Sequence, residues 1–124
     1  RYHQVTVEAD ITTALRTVCP RVSPDAAPYG TVRPYITWQF IGGRPMRYIE
    51  STPADKRHTL LQVNVWSNTR AEALALIRQV EAALCDAAAP FTATPEAEPL
   101  SDLADDIEPA LYGSLQDFSI YSTR

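Results

Sequence analysis

The chain has 124 residues, the size of one domain, with 45% hydrophobic content and a formal charge of -4 from 11 basic and 15 acidic residues. A mixed, mildly acidic balance without a basic stripe argues against a general nucleic-acid binder, though it is compatible with a protein that surrounds DNA without gripping it. No apolar run approaches the ~18 residues of a membrane span, and two distant cysteines make neither a metal cluster nor a disulfide scaffold.

Residues 6–18 place Val7, Ile11, Ala14, Leu15 and Val18 at helical spacing, which predicts an amphipathic helix. Thr6 is a candidate cap, with Glu8 and Asp10 near the positive end of the helix dipole, and Pro20 ends it. Residues 21–31, rich in proline and carrying Asp25 and Gly30, read as a loop.

Ile36, Trp38 and Phe40 then alternate with Thr37 and Gln39, the signature of a half-buried strand. Gly42-Gly43 stops it as a turn. Residues 46–50 suggest a short return strand, and residues 51–58 a hairpin loop or arm. Over residues 59–67, Leu61, Val63 and Val65 share one side and Gln62 and Asn64 the other. Asn68 or Thr69 is the candidate cap of a second helix, and Thr69 with Glu72 fits a capping box. Ala73, Leu76, Ile77, Val80 and Leu84 line its buried face, while Arg70, Arg78 and Glu81 point outward.

Residues 91–94 suggest another strand. The proline-rich, acidic stretch at 90–110 reads as an irregular segment, long enough that some hidden structure is expected in it. Residues 115–122 alternate again, with Phe118 and Ile120 inward and Asp117, Ser119 and Tyr121 opposite.

One-sided strands of this kind predict an α+β fold: an antiparallel sheet of about four or five strands with two main helices packed on one face. Residues 1–124 form a single domain in this reading, with a loop or arm at 44–58. The expected core is Ile11, Leu15, Val18, Ile36, Trp38, Phe40, Leu61, Val63, Val65, Leu76, Ile77, Val80, Leu84, Phe118 and Ile120. The opposite sheet face would show Thr37, Gln39, Gln62, Asn64 and Ser119, with Tyr35, Ile41, Leu60, Trp66 and Tyr121 as apolar patches. Such a face is either solvated or an interface with aromatic anchors, and Trp66 either packs against the domain edge or meets another subunit.

Chemistry-bearing patterns are scarce. His3 and His58 are the only histidines. No ligand set with metal geometry, no nucleophile with a positioned base and no phosphate-binding glycine loop is visible. No catalytic, metal or cofactor-binding residue is therefore assigned. Asp105 and Asp106 read as a solvated charge cluster, and Cys85 as a core thiol. Cys19 and Cys85 are either free thiols in a reducing compartment or a single disulfide. The stretch at 44–58, with Arg44, Arg47, Lys56 and Arg57 broken by Glu50 and Asp55, is an ordinary hairpin connection, an arm touching a neighbouring subunit, or a DNA contact. Candidate subunit or partner contacts are Arg44, Arg47, Tyr48, Lys56, Arg57, Gln62, Asn64 and Trp66.

The order of these pieces carries a resemblance. An amphipathic helix, Pro34-Tyr35-Ile36-Thr37-Trp38-Gln39, Gly42-Gly43, Leu61-Gln62-Val63-Asn64-Val65-Trp66-Ser67, an Ala/Glu-rich helix and a closing Gln116-Asp117-Phe118-Ser119-Ile120-Tyr121 follow one another. This succession resembles the tail-completion or head-tail joining proteins of tailed bacteriophages and prophages. Trp38, Val63, Val65, Trp66 and Phe118 look like fold-defining positions in that comparison, whereas residues 90–109 match no family pattern.

The resemblance implies an oligomeric ring, commonly six-fold, at the head-proximal end of the tail. It implies contacts with the tail-tube protein and the head connector protein, DNA only as cargo passing through, no membrane partner, no cofactor and no catalysis. The expected location is the bacterial host cytoplasm during assembly and then the virion tail. The alternative from another class is a small cytoplasmic adaptor or regulatory domain that binds a protein partner through its exposed sheet face. An enzyme would require acids from residues 102–108 to converge on Arg44 or His58.

Overall fold

Two periodicities build the molecule, one of two residues along the strands and one of 3.6 along the helices. The computed structural model describes residues 7–28, 30–43, 56–86, 91–104 and 109–123. Its elements are α1 (Val7–Arg16), β1 (Val22–Pro24), β2 (Tyr35–Phe40), β3 (Lys56–Ser67), α2 (Arg70–Cys85), β4 (Phe91–Pro95), β5 (Leu100–Ala104) and β6 (Leu111–Thr123).

The strands form one six-stranded sheet in the order β1-β2-β3-β6-β4, with β5 also pairing with β6. The spine is the antiparallel ladder between β3 and β6, which runs from Lys56 opposite Thr123 to Ser67 opposite Tyr112. On its other edge β6 carries two short strands in tandem: β4 beside Phe118–Ser122 and β5 beside Leu111–Leu115.

Alternation along these strands sends Ile36, Trp38, Leu61, Val63, Val65, Phe118 and Ile120 to one face. There they pack with Ile11 and Leu15 of α1 and Ile77, Val80 and Leu84 of α2. Val18, Phe40 and Leu76 are partly buried against this cluster. The core also takes in Cys19, Val22, Phe91 and Ala93. Trp38 and Phe40 meet edge to face at 5.4 Å, a favoured aromatic geometry. Burial of each large aliphatic side chain contributes about 1.5–3 kcal/mol.

Helix α2 starts as its capping residue dictates. Thr69 has extended backbone angles, and its side-chain oxygen accepts a hydrogen bond from the Glu72 amide at 3.1 Å, satisfying one of the unpaired amides of the first turn. The helix lies against β3, β6 and β4, and α1 lies against α2 and β1.

Several expectations are corrected. The sheet is mixed, because β1 pairs parallel with β2, and β1 falls in the stretch read as a loop. The strand read from Thr59 starts at Lys56, so Lys56, Arg57 and His58 belong to β3 rather than to an arm. The closing strand starts at Leu111, and the irregular 90–110 stretch contains, besides the strand suggested at 91–94, which is β4, the further strand β5. Glu81 does not simply face solvent: its carboxylate accepts a hydrogen bond at 2.9 Å from the Nε2 of Gln116, which is itself buried. The same Nε2 donates to the Ala97 carbonyl at 2.9 Å, so Gln116 ties α2 to the corner between β4 and β5. The candidate cap Thr6, His3 and the return strand at 46–50 lie outside the described residues.

Candidate functional site

On the face away from the helices, cross-strand register lines up polar rows. Gln39, Gln62 and Asp117 are neighbours on β2, β3 and β6. Gln39 Nε2 donates to Gln62 Oε1 at 3.3 Å, and Gln62 Nε2 donates to Asp117 Oδ1 at 3.3 Å. The ladder links the three side chains and leaves Gln39 Oε1 and Asp117 Oδ2 outside it as acceptors.

Near the start of β3, His58 Nε2 hydrogen-bonds Ser119 Oγ at 2.8 Å, and its ring packs against Tyr121 at 4.7 Å with the planes tilted by 35°. This packing covers Ser119, which is buried rather than displayed. Thr37 is buried too, because the bend at residues 25–27 flanks it.

That bend creates a concavity on this face. Asp25 adopts a left-handed φ of 63°, which a short polar side chain tolerates. Its amide is pinned to the Trp38 carbonyl at 2.7 Å. The result is an open cleft of about 360 Å³ lined by Asp25, Tyr35, Thr37, Asn64, Trp66 and Leu111. Tyr35 and Trp66 face each other across the β2–β3 ladder. The Trp66 ring lies over Gly113, where an added Cβ would sit 2.6 Å from Trp66 Cζ3. A residue with no side chain is what lets the indole lie flat on β6.

Of the candidate contact residues, Asn64 and Trp66 line this cleft, and Gln62 belongs to the amide row beside it. Arg57 is exposed at the far end of β3, and Lys56 opens that strand. Arg44, Arg47 and Tyr48 lie outside the described residues. Sequence reasoning missed Asp25, Tyr35 and Leu111 as parts of one cleft, since only the reversal after β1 brings Asp25 to the sheet.

Nothing in this arrangement assembles a reaction centre. Among the described residues no group of three His, Cys, Asp or Glu is placed to hold a metal, and no helix is long and apolar enough to cross a membrane. Cys19 and Cys85 are free thiols. Cys19 is buried with its Sγ 3.4 Å from the Pro34 carbonyl. Cys85 is half-buried, and burial first, then the Glu81 and Asp86 carboxylates, push its thiol pKa up, which suppresses the nucleophilic thiolate.

The described residues thus form a one-sided sheet with amide and aromatic features on its open face. The family model described as "Tail completion protein gp17" matches residues 2–122, and the chain belongs to that family. The curated proteins compared with it include no match. It is a structural protein of the phage tail, placed at the head-proximal end where tail meets head, rather than an enzyme. The match gives no support to a cytoplasmic adaptor.

Proposed function

We propose that residues 1–124 act as a single tail-completion domain that forms a ring with copies of itself, six in the particle. The ring caps the tail-tube protein and docks the head connector protein, with DNA passing through as cargo. The observation that carries this reading is the family match over residues 2–122. The open sheet face supports it, because a ring needs a heterologous contact in which one patch meets a different patch on the next subunit.

Arg44, Arg47, Tyr48, Lys56, Arg57, Gln62, Asn64 and Trp66 are the proposed contact residues. The acidic balance of the chain suits a lumen that does not hold phosphates, since each bound phosphate adds affinity and opposes transport. The test is deletion of the gene followed by electron microscopy of the particles. The expected result is filled heads and free tails that the chain supplied in trans rejoins. Joined, infectious particles in its absence would overturn the reading.

A further inference from the structure

The two lateral edges of the sheet differ. At one edge β1 is three residues long and ends in Pro24, which has no amide hydrogen to donate, and α1 packs against it. At the other edge β4 and β5 each pair with β6 alone among the described residues. The outer amides and carbonyls of such an edge are a template onto which a further strand adds.

Strands β4 and β5 are anchored unequally. β4 buries Phe91 and Ala93 in the core. β5 buries no side chain: Leu100 is 62% exposed and Leu103 43%. Register sets Leu100 beside Leu115 on the open face and Leu103 beside Tyr112 on the helix face. A strand added outside β5 would bring a cross-strand neighbour to both leucines at once.

Charge selects the occupant. Between Arg78 and Arg124 the sequence holds no lysine, arginine or histidine. Glu96, Glu98 and Asp102 are exposed along this edge, and none of them pairs with a cation among the described residues. Arg33, at the Ala104 end of β5, donates instead to Asn68 Oδ1 and the Ala110 carbonyl. The Asp102 carboxylate accepts a hydrogen bond from the Leu103 amide at 2.8 Å, so it covers a backbone donor of β5. A lysine or arginine on an incoming strand would draw that carboxylate to itself, and a carbonyl of the strand would take over the amide. The same edge of a second copy would set carboxylates against carboxylates, which is destabilising, and the β1 edge of a second copy ends in Pro24.

We infer that the β4–β5 edge receives an extended, lysine- or arginine-bearing segment of a different protein, which joins the sheet as a further strand beside β5. This contact goes beyond the ring reading and needs no second copy.

The experiment titrates the full-length chain with three short synthetic peptides and follows its backbone amides by NMR. One peptide alternates lysine with valine, one alternates glutamate with valine, and the third is the lysine peptide with its backbone amides N-methylated. The expected result is that the lysine peptide alone shifts the amides of residues 100–104 and slows exchange at Leu103. Asp102→Lys should weaken that binding about tenfold or more and admit the glutamate peptide. Amide spectra unchanged outside β5 show that the variant keeps its fold. An equal response to the N-methylated peptide would reduce the contact to surface charge and overturn strand addition. Silence toward all three peptides, shifts centred away from β5, or an Asp102→Lys variant that binds like the parent would each overturn the inference. Shifts of the β5 amides with protein concentration alone would make a second copy the occupant and overturn the assignment to a different protein.

Discussion

The indole of Trp66 on β3 lies across the backbone of Gly113 on β6, so closely that a methyl group at Gly113 would sit 2.6 Å and 2.7 Å from two of its ring carbons. The floor of the cleft is therefore set by the absence of a side chain on the neighbouring strand.

Gly113→Ala should displace the indole and destabilise the fold by about 1–3 kcal/mol, the usual range for overpacking. Urea unfolding and the Trp66 indole signal are the measurements. A variant with parental stability and an unmoved indole signal would show that the ring is free to leave Gly113.

The paired glycines after β2 should respond unequally. At Gly43, φ is +149° and a Cβ would meet the His58 carbonyl oxygen at 2.5 Å and Thr59 Cα at 2.8 Å, while Gly42, at φ +119°, has open space around it. Both are conformations that favour glycine, but only Gly43 also clashes with backbone, which cannot swing aside. Gly43→Ala should cost more than Gly42→Ala, by about 1 kcal/mol or more. Denaturation midpoints in the reverse order would contradict this close approach.

Gln116 should matter through its donor rather than its size. Its Nε2 serves Glu81 and the Ala97 carbonyl, while its buried Oε1 has no partner among the described residues. Gln116→Met keeps the bulk and removes the donor, at an expected cost of about 1–3 kcal/mol. Faster amide exchange around Ala97 and Gln116 should accompany it. Equal stability would mean that the missing Oε1 partner offsets both bonds.

Cys85 should alkylate more slowly near neutral pH than an unfolded cysteine, with its rate midpoint displaced to higher pH. The folded state holds the thiol proton more tightly than the unfolded one, because burial, then Glu81, then Asp86 raise the pKa. The associated stability is full below the unfolded thiol pKa and is lost as pH climbs through the folded value. Replacing Asp86 with Asn should lower the midpoint slightly. A midpoint at or below that of a free thiol would show the carboxylates and burial to be ineffective.

The parts of this fold legible in sequence are those with long periodic runs. Ile36, Trp38, Leu61, Val63, Val65, Phe118 and Ile120 announce their common face by alternation alone, and Thr69 with Glu72 marks the start of α2. Strand β1 escaped because three residues ending in Pro24 offer no window for a period and owe their conformation to pairing with β2. Strand β5 escaped for another reason. Leu100 and Leu103 remain exposed, so its pattern records no inward face, and backbone pairing with β6 holds it. Glu81 looked solvent-directed because its partner lies 35 positions away. Asn64 and Trp66 stood out as polar-face residues, but the cleft beside them depends on where the chain travels after β1, a long-range outcome that local spacing does not encode.

The tandem arrangement along β6 has a mechanical consequence. Its 13 residues are flanked by β3 on one edge and by β4 and β5 on the other. Tension applied along the strand axis would load these ladders in shear, sharing the force across many bonds at once rather than peeling them open one by one. In any assembly where β6 lay along the line of load, it would act as a girder.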